Sequence, residues 1–215
     1  GAREDADAAY RFAKGEPISH PSGRTMQLSK PLDFQMVSDH GVYLGMLPAM
    51  MQASSSVGDH PLAEEMRRAE QPHERAQAFG KIVPRIIDYT GEDDLLDEAI
   101  VRSAWQSNIA AASHHNEPGK FTTFIGYEYT STGPEFENLH RNIVFSGDKV
   151  PDLPFTRLDS TNPEDLWNWM DNLRLLGMDS LAIPHNSNGS NGWMFKETKW
   201  DNAAVDALYA VQRMR

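Results

Sequence analysis

Short apolar runs alternate with longer amphipathic stretches along the chain, and this alternation predicts strands interleaved with helices. Four runs are rich in aromatic or aliphatic residues and end at polar or glycine-containing segments, as strands do. These predicted strands cover residues 34–38, 121–129, 139–145 and 180–184. Gly133 and Pro134 separate the second run from the third. We therefore expect these two to be neighbouring strands joined by a turn.

Helices are predicted on either side of these runs from their capping residues and charge patterns. They cover residues 4–14, 61–70, 73–88, 93–115, 163–176 and 202–214. Pro84 should kink or split the third of them, and Gly177 follows the end of the fifth. The methionine-rich stretch 44–51 is predicted to pack in the core. The order of elements predicts an α/β fold with a mostly parallel sheet or barrel.

One region is too long for a regular barrel connection. More than fifty residues separate the strand that ends near Ser38 from the strand that starts near Phe121. Residues 61–116 within this interval are largely helical in pattern. We therefore predict that they form a helical insertion or cap outside the barrel.

Composition restricts the function. The chain has 31 acidic and 20 basic residues and a formal charge of −11, which argues against general binding of nucleic acid. It holds no apolar stretch near the roughly 18 residues of a membrane span. It also contains no cysteine, so any metal ligands must be histidine, aspartate or glutamate.

Two histidines directly follow predicted strands, at the end where barrel enzymes carry their catalytic residues. His40 closes the tripeptide Ser38-Asp39-His40, in which Asp39 can orient the imidazole; the alternative is a surface turn with a polar pair. His185 opens a polar, glycine-containing loop, which is typical of an active site, although a structural histidine in a turn has the same pattern.

Two further candidate residues lie in the predicted hairpin. Glu128 is near the end of an apolar strand, and a buried carboxylate requires either a metal or a cationic side chain. His140 begins the next strand, so the hairpin would bring it close to Glu128. We expect Glu128, His140 and His185 to converge on one point, with His40 on the same rim but further away. One carboxylate and two imidazoles match a catalytic metal site with open positions.

The motifs together resemble the polymerase-and-histidinol-phosphatase (PHP) superfamily, and in detail its branch known as domain-of-unknown-function family 3604. The similar stretches occur in the same order across most of the chain. They are residues 7–15 (DAAYRFAKG), 31–34 (PLDF), 38–40 (SDH), 126–129 (GYEY), 140–142 (HRN) and 183–188 (IPHNSN).

This resemblance implies a single domain, here residues 1–215, that forms part of a distorted (β/α)7 TIM-like barrel. Up to three divalent metal ions, zinc or manganese, would lie at the carboxyl ends of its strands. His40, Glu128, His140 and His185 are then the metal ligands, with Glu128 bridging two ions. The opening His-x-His and closing Asp-x-His motifs of the superfamily are absent from this sequence. We therefore expect a piece truncated at both ends, with little hydrolase activity of its own.

The implied activity is that of a metal-dependent hydrolase that cleaves a phosphoester or similar anionic ester with a metal-activated water. Arg141 is the candidate for holding the small anionic substrate, although a surface salt bridge is its alternative role. Asn186 and Asn188 are predicted to line the same pocket. Two other hypotheses remain: a catalytically inactive binding or scaffold module of the same fold, and a TIM-barrel hydrolase unrelated to this superfamily.

Overall fold

The computed structural model describes residues 5–20, 22–88 and 93–195, which form a mixed α/β arrangement of helices and small sheets. The helices are α1 (Ala6–Ala13), α2 (Met46–Met50), α3 (Pro61–Arg68), α4 (Pro72–Asp88), α5 (Glu98–His115) and α6 (Pro163–Leu175). The strands are β1 (Ile18–Ser19), β2 (Thr25–Met26), β3 (Phe34–Met36), β4 (Thr122–Phe124), β5 (Gly126–Tyr129), β6 (Arg141–Phe145) and β7 (Ser180–Pro184).

The strands form three sheets, and in the described part of the chain these do not close into a barrel. β1 pairs with β2 antiparallel, and β3 pairs with β4 parallel. β5, β6 and β7 form the third sheet in that order, with both pairs antiparallel. The α/β class is thus confirmed, whereas the partial PHP-type barrel stays a prediction.

The expectation of mostly parallel pairing is wrong for the described strands. β5 and β6 are joined directly by the loop 130–140, which contains no helix, and such a connection produces an antiparallel pair. The predicted strand 121–129 also divides at Ile125. Before this residue it pairs with β3, and after it with β6, so one apolar run contributes to two sheets.

The helices agree closely with their predicted ranges. Asn162 caps α6 by accepting a hydrogen bond from the Glu164 amide, and Gly177 follows the helix with φ of 78°. α4 continues through Pro84, so the helix is not split there, and a kink at this residue stays a prediction. The helix predicted at 202–214 lies outside the described residues. Whether 61–116 is a cap outside a barrel stays a prediction.

The core lies on one face of the β5–β6–β7 sheet. Trp105 of α5 is fully buried, and its ring contacts those of Tyr127 and Phe145 at centroid distances of 5.8 and 6.3 Å. Met46 and Met50 are buried, which confirms the predicted role of the methionine-rich stretch. Because strand residues alternate between faces, Glu128 and its neighbours on the same face point away from this core.

No helix within the described ranges is both long enough and apolar enough to cross a membrane.

Tyr10 links α1 to the strands that lead to the candidate site. Its hydroxyl accepts from the Val37 amide and donates to the Phe124 carbonyl, each at 3.3 Å, and its side chain is buried. We expect Tyr10→Phe to lower the free energy of unfolding by about 1–3 kcal/mol, because both backbone groups lose a partner. Urea unfolding measures this, and an unchanged midpoint would show that the two long hydrogen bonds contribute nothing.

Candidate metal centre

The sheet register brings three of the predicted ligands to one edge. Glu128 lies opposite Asn142 in the β5–β6 pair, so Glu128 and His140 share a face. Arg141 pairs with Pro184 of β7, and the His185 amide donates to the His140 carbonyl at 3.2 Å. His185, which follows β7, therefore lies beside His140, at the end of the sheet where β5 ends.

Glu128, His140 and His185 converge as predicted. His140 Nδ1 lies 2.6 Å from Glu128 Oε1, and His185 Nε2 lies 3.4 Å from the same oxygen. The two imidazole rings are 6.0 Å apart between centroids and nearly perpendicular. One ligand atom from each residue lies within 4.8 Å of the others, so the group can hold a metal ion.

His40 lies on the same rim and contacts the other carboxylate oxygen. Its Nδ1 is 3.3 Å from Glu128 Oε2. The group whose ligand atoms lie within 4.8 Å of one another consists of Glu128, His140 and His185, so His40 lies outside it, as expected. The residues on either side of His40 are hydrogen-bonded to the backbone of Glu128. The Glu128 amide donates to the Asp39 carbonyl, and the Gly41 amide donates to the Glu128 carbonyl. The backbone at His40 is thus fixed to β5.

The surroundings of Glu128 favour its ionised form. Burial acts to raise the pKa of this carboxyl group, and it is the largest single influence. The close contact with His140 and the charges of His40, His140 and His185 act against it, and together they hold the pKa below its usual value. Glu128 is therefore a carboxylate at neutral pH, as a metal ligand must be.

Two buried atoms of the cluster lack hydrogen bonds within the described residues. They are Glu128 Oε1 and His185 Nδ1. His140 Nδ1 lies 2.6 Å from Oε1 but makes no hydrogen bond to it, and the contact is an ion pair only when His140 is protonated. A buried acceptor without a hydrogen bond is destabilising by about 1–3 kcal/mol. A divalent metal ion would satisfy Oε1.

The role predicted for Asp39 is not supported by its contacts. Its carboxylate is exposed and accepts a hydrogen bond from Asn108 Nδ2 at 3.1 Å. The His40 ring is instead held by Thr130, whose Oγ1 lies 2.5 Å from Nδ1. Thr130 was missed because it follows the strand. Its position two residues after Glu128, where strand side chains return to the same face, was the available signal.

Arg141 does not face the metal centre, so its predicted role as the anion-binding residue is wrong. It lies between His140 and Asn142 in the strand and therefore points to the opposite face. Its side chain is buried, donates to the Leu139 carbonyl at 2.8 Å and lies 5.5 Å from the centre of the Trp167 ring. This is a structural position in the core.

We expect Arg141→Met to lower the free energy of unfolding by about 1–3 kcal/mol, because a buried hydrogen bond and the contact with Trp167 are lost. Metal affinity should not change. Urea unfolding and calorimetric metal titration measure the two quantities, with Arg24→Met, at an exposed arginine, as the control. An unchanged stability combined with weaker anion binding would restore the original prediction.

The two asparagines predicted to line the pocket lie beside His185. Asn186 and Asn188 are exposed, and Asn186 adopts φ of 58° at the start of a short 3-10 turn. The Asn138 amide donates to the Gly189 carbonyl at 3.0 Å, which ties this loop to the β5–β6 loop. The position is compatible with substrate contact, and the role of both residues stays a prediction.

A hydrogen bond between two further polar residues borders the cluster. Ser38 Oγ donates to Asn142 Oδ1 at 2.6 Å and joins the segment before His40 to the middle of the sheet. Both residues lie in the motifs noted in the sequence, but their contact spans 104 positions, and no local pattern predicts it.

A family model described as "Protein of unknown function (DUF3604)" matches residues 1–215. Neither a curated protein nor a solved structure matches the chain.

Proposed function

The chain belongs to the DUF3604 family, and since that name states no activity, we propose from the centre itself that this is the metal-binding part of a hydrolase. The observation that carries the proposal is the buried Glu128 Oε1. It lies between two imidazoles and has no hydrogen bond of its own within the described residues. We propose further that the sheet is part of a PHP-type barrel.

Each residue of the cluster has a distinct part in this proposal. His140 and His185 supply neutral nitrogen ligands, and Glu128 supplies the anionic oxygen that balances the charge of a divalent ion. His40 contacts the second oxygen of Glu128 and is held there by Thr130. When bound, the metal would polarise the scissile group and activate water for attack. We propose zinc or manganese, which both accept these ligands.

The proposed substrate is a phosphoester or similar anionic ester. Arg141 is buried on the other face of the sheet, so it cannot carry the substrate charge. The bound metal would balance that charge instead. The overall charge of −11 makes such a local positive centre the main attraction for a small anion.

A second candidate function is metal binding without turnover, in a binding or scaffold module. One group of metal-binding type is found in the part of the chain that the structure describes. Hydrolases of the superfamily that the sequence resembles use up to three ions. A single ion held by Glu128, His140 and His185 favours a module of low activity.

Metal analysis followed by an activity panel tests the proposal. The 215-residue chain is incubated with zinc or manganese, freed of excess metal and analysed by plasma mass spectrometry. It is then assayed with p-nitrophenyl phosphate, bis-p-nitrophenyl phosphate and a sulfate ester. We expect about one bound ion, and at most weak turnover that stops with a chelator. Metal bound without turnover favours the binding module.

The matched control separates this centre from other histidines. His140→Ala with His185→Ala should abolish metal binding, whereas His73→Ala, at an exposed helix residue, should not. A wild-type chain that binds no metal would refute the proposed centre.

A further inference from the structure

Asn142 lies on the middle strand of the three-stranded sheet, between β5 and β7. It lies directly opposite Glu128 on β5 and opposite Ile183 on β7. His140 precedes it by two residues on the same face. Side chains in such directly opposed pairs have Cβ atoms about 4.5–5.5 Å apart. Asn142 is therefore a direct neighbour of the carboxylate that would hold the metal.

The hydrogen bond from Ser38 fixes the orientation of the Asn142 amide. Ser38 Oγ donates to Oδ1 at 2.6 Å, so the carbonyl end of the side chain faces β3. The NH2 group lies at the other end of the planar amide and carries two donors. Among the described residues, the side-chain hydrogen bond of Asn142 is made by its carbonyl oxygen. This contact therefore orients the NH2 group without using either of its two donors.

We propose that Asn142 is a ligand-binding residue of the metal centre, and that its NH2 group donates a hydrogen bond to an oxygen of a bound oxyanion. The proposal rests on the metal centre proposed above and goes beyond it by assigning a residue to the bound anion. Phosphate is the simplest anion of this class.

A neutral amide suits this position better than a cationic side chain. A cation so close to Glu128 would pair with the carboxylate and compete with the metal for it. An amide donor stabilises a bound anion without neutralising Glu128. The neighbouring Arg141, by contrast, lies on the opposite face and packs on Trp167. Strand alternation thus places the amide at the site and the guanidinium in the core.

The test measures phosphate binding to the zinc-loaded chain. Calorimetry gives the affinity for inorganic phosphate in the wild type and in Asn142→Ala. We expect the variant to bind phosphate about tenfold more weakly, as for loss of one hydrogen bond to an anion, with zinc affinity unchanged. In the 15N-labelled wild type, the side-chain NH2 resonances of Asn142, identified by their absence in the variant, should shift on addition of phosphate.

Three further variants sharpen the result. Asn142→Asp should weaken phosphate binding more than Asn142→Ala, because a second carboxylate repels the anion. Ser38→Ala should weaken it less, because the donors remain but lose their fixed orientation. Asn172→Ala changes an exposed asparagine of α6 and should leave phosphate binding unchanged.

The outcomes separate this inference from the proposed function. Equal phosphate affinities of the zinc-loaded wild type and Asn142→Ala would overturn the role of Asn142 and leave the metal centre intact. Zinc binding without any phosphate binding would do the same. A wild-type chain that binds no zinc would refute the proposed function, and the role of Asn142 with it.

Discussion

Glu128→Gln is expected to weaken zinc binding by at least about a hundredfold, since loss of an outer partner of a metal ligand alone weakens binding ten- to a hundredfold. The substitution keeps the size of the side chain and removes the charge that balances the ion. The amide also replaces one carboxylate oxygen with an NH2 group, which is a donor and cannot bind a cation. Calorimetric titration at neutral pH measures the affinity.

Thermal unfolding gives an independent measurement of the same substitution. A ligand at a hundred times its dissociation constant stabilises the folded state by about 2.7 kcal/mol, so zinc should raise the melting temperature of the wild type. It should not raise that of Glu128→Gln. Glu135→Gln is the matched control, because Glu135 is an exposed glutamate of the loop that joins β5 and β6. A Glu128→Gln variant with wild-type zinc affinity would exclude the carboxylate as a ligand.

The convergence of the site was predictable because it depends on strand ends. Glu128 and His140 lie on either side of a connection without a helix, and antiparallel pairing then places them at one edge whatever the detailed register. His185 was predictable for a similar reason, since it directly follows an apolar strand. Three residues far apart in the chain were thus grouped by topology alone.

The finer assignments failed where they depended on side-chain direction. Arg141 was chosen for being adjacent to a ligand, but adjacent strand residues point to opposite faces, and it lies in the core. Asp39 was chosen for the same reason, and Thr130 holds His40 instead. Alternation along β6 would have identified Asn142 as the better candidate. To predict which residues join the site, their two-residue spacing along a strand was more informative than their adjacency to a ligand in the sequence.

The sheet arrangement was less predictable than its elements. The run 121–129 has one continuous apolar pattern, yet it changes partner at Ile125, where the Phe145 amide bonds to the Ile125 carbonyl at 2.9 Å. An apolar pattern reports that a segment is buried, and it does not identify the neighbouring strand. The parallel contact between His40 and Glu128 keeps the register of the β3–β4 pair, so the segment after β3 stays beside β5 while β6 pairs with β5 as well.

Gly126 stands at this change of partner, and Gly126→Ala is expected to lower the free energy of unfolding by about 3 kcal/mol or more. A Cβ atom there would lie 2.1 Å from Met36 Sδ and 2.4 Å from the Ile143 carbonyl oxygen. Met36 can turn aside, but the carbonyl belongs to the β5–β6 ladder and cannot move without breaking it. Urea unfolding of the metal-free chain measures the loss.

The same substitution should also weaken zinc binding, because the added methyl group enters the face that carries Glu128. Gly126 precedes Glu128 by two residues. The Met36 side chain of β3 packs directly on Gly126, in the space that a side chain at this position would occupy. If the β5–β6 ladder shifts to admit the methyl group, it displaces Glu128 and Asn142, which contact His40 and Ser38 after β3. Gly147→Ala is the control, because its Cβ would meet no atom within 4 Å. If both variants are equally stable and bind zinc equally well, the close packing at Gly126 does not hold the centre in place.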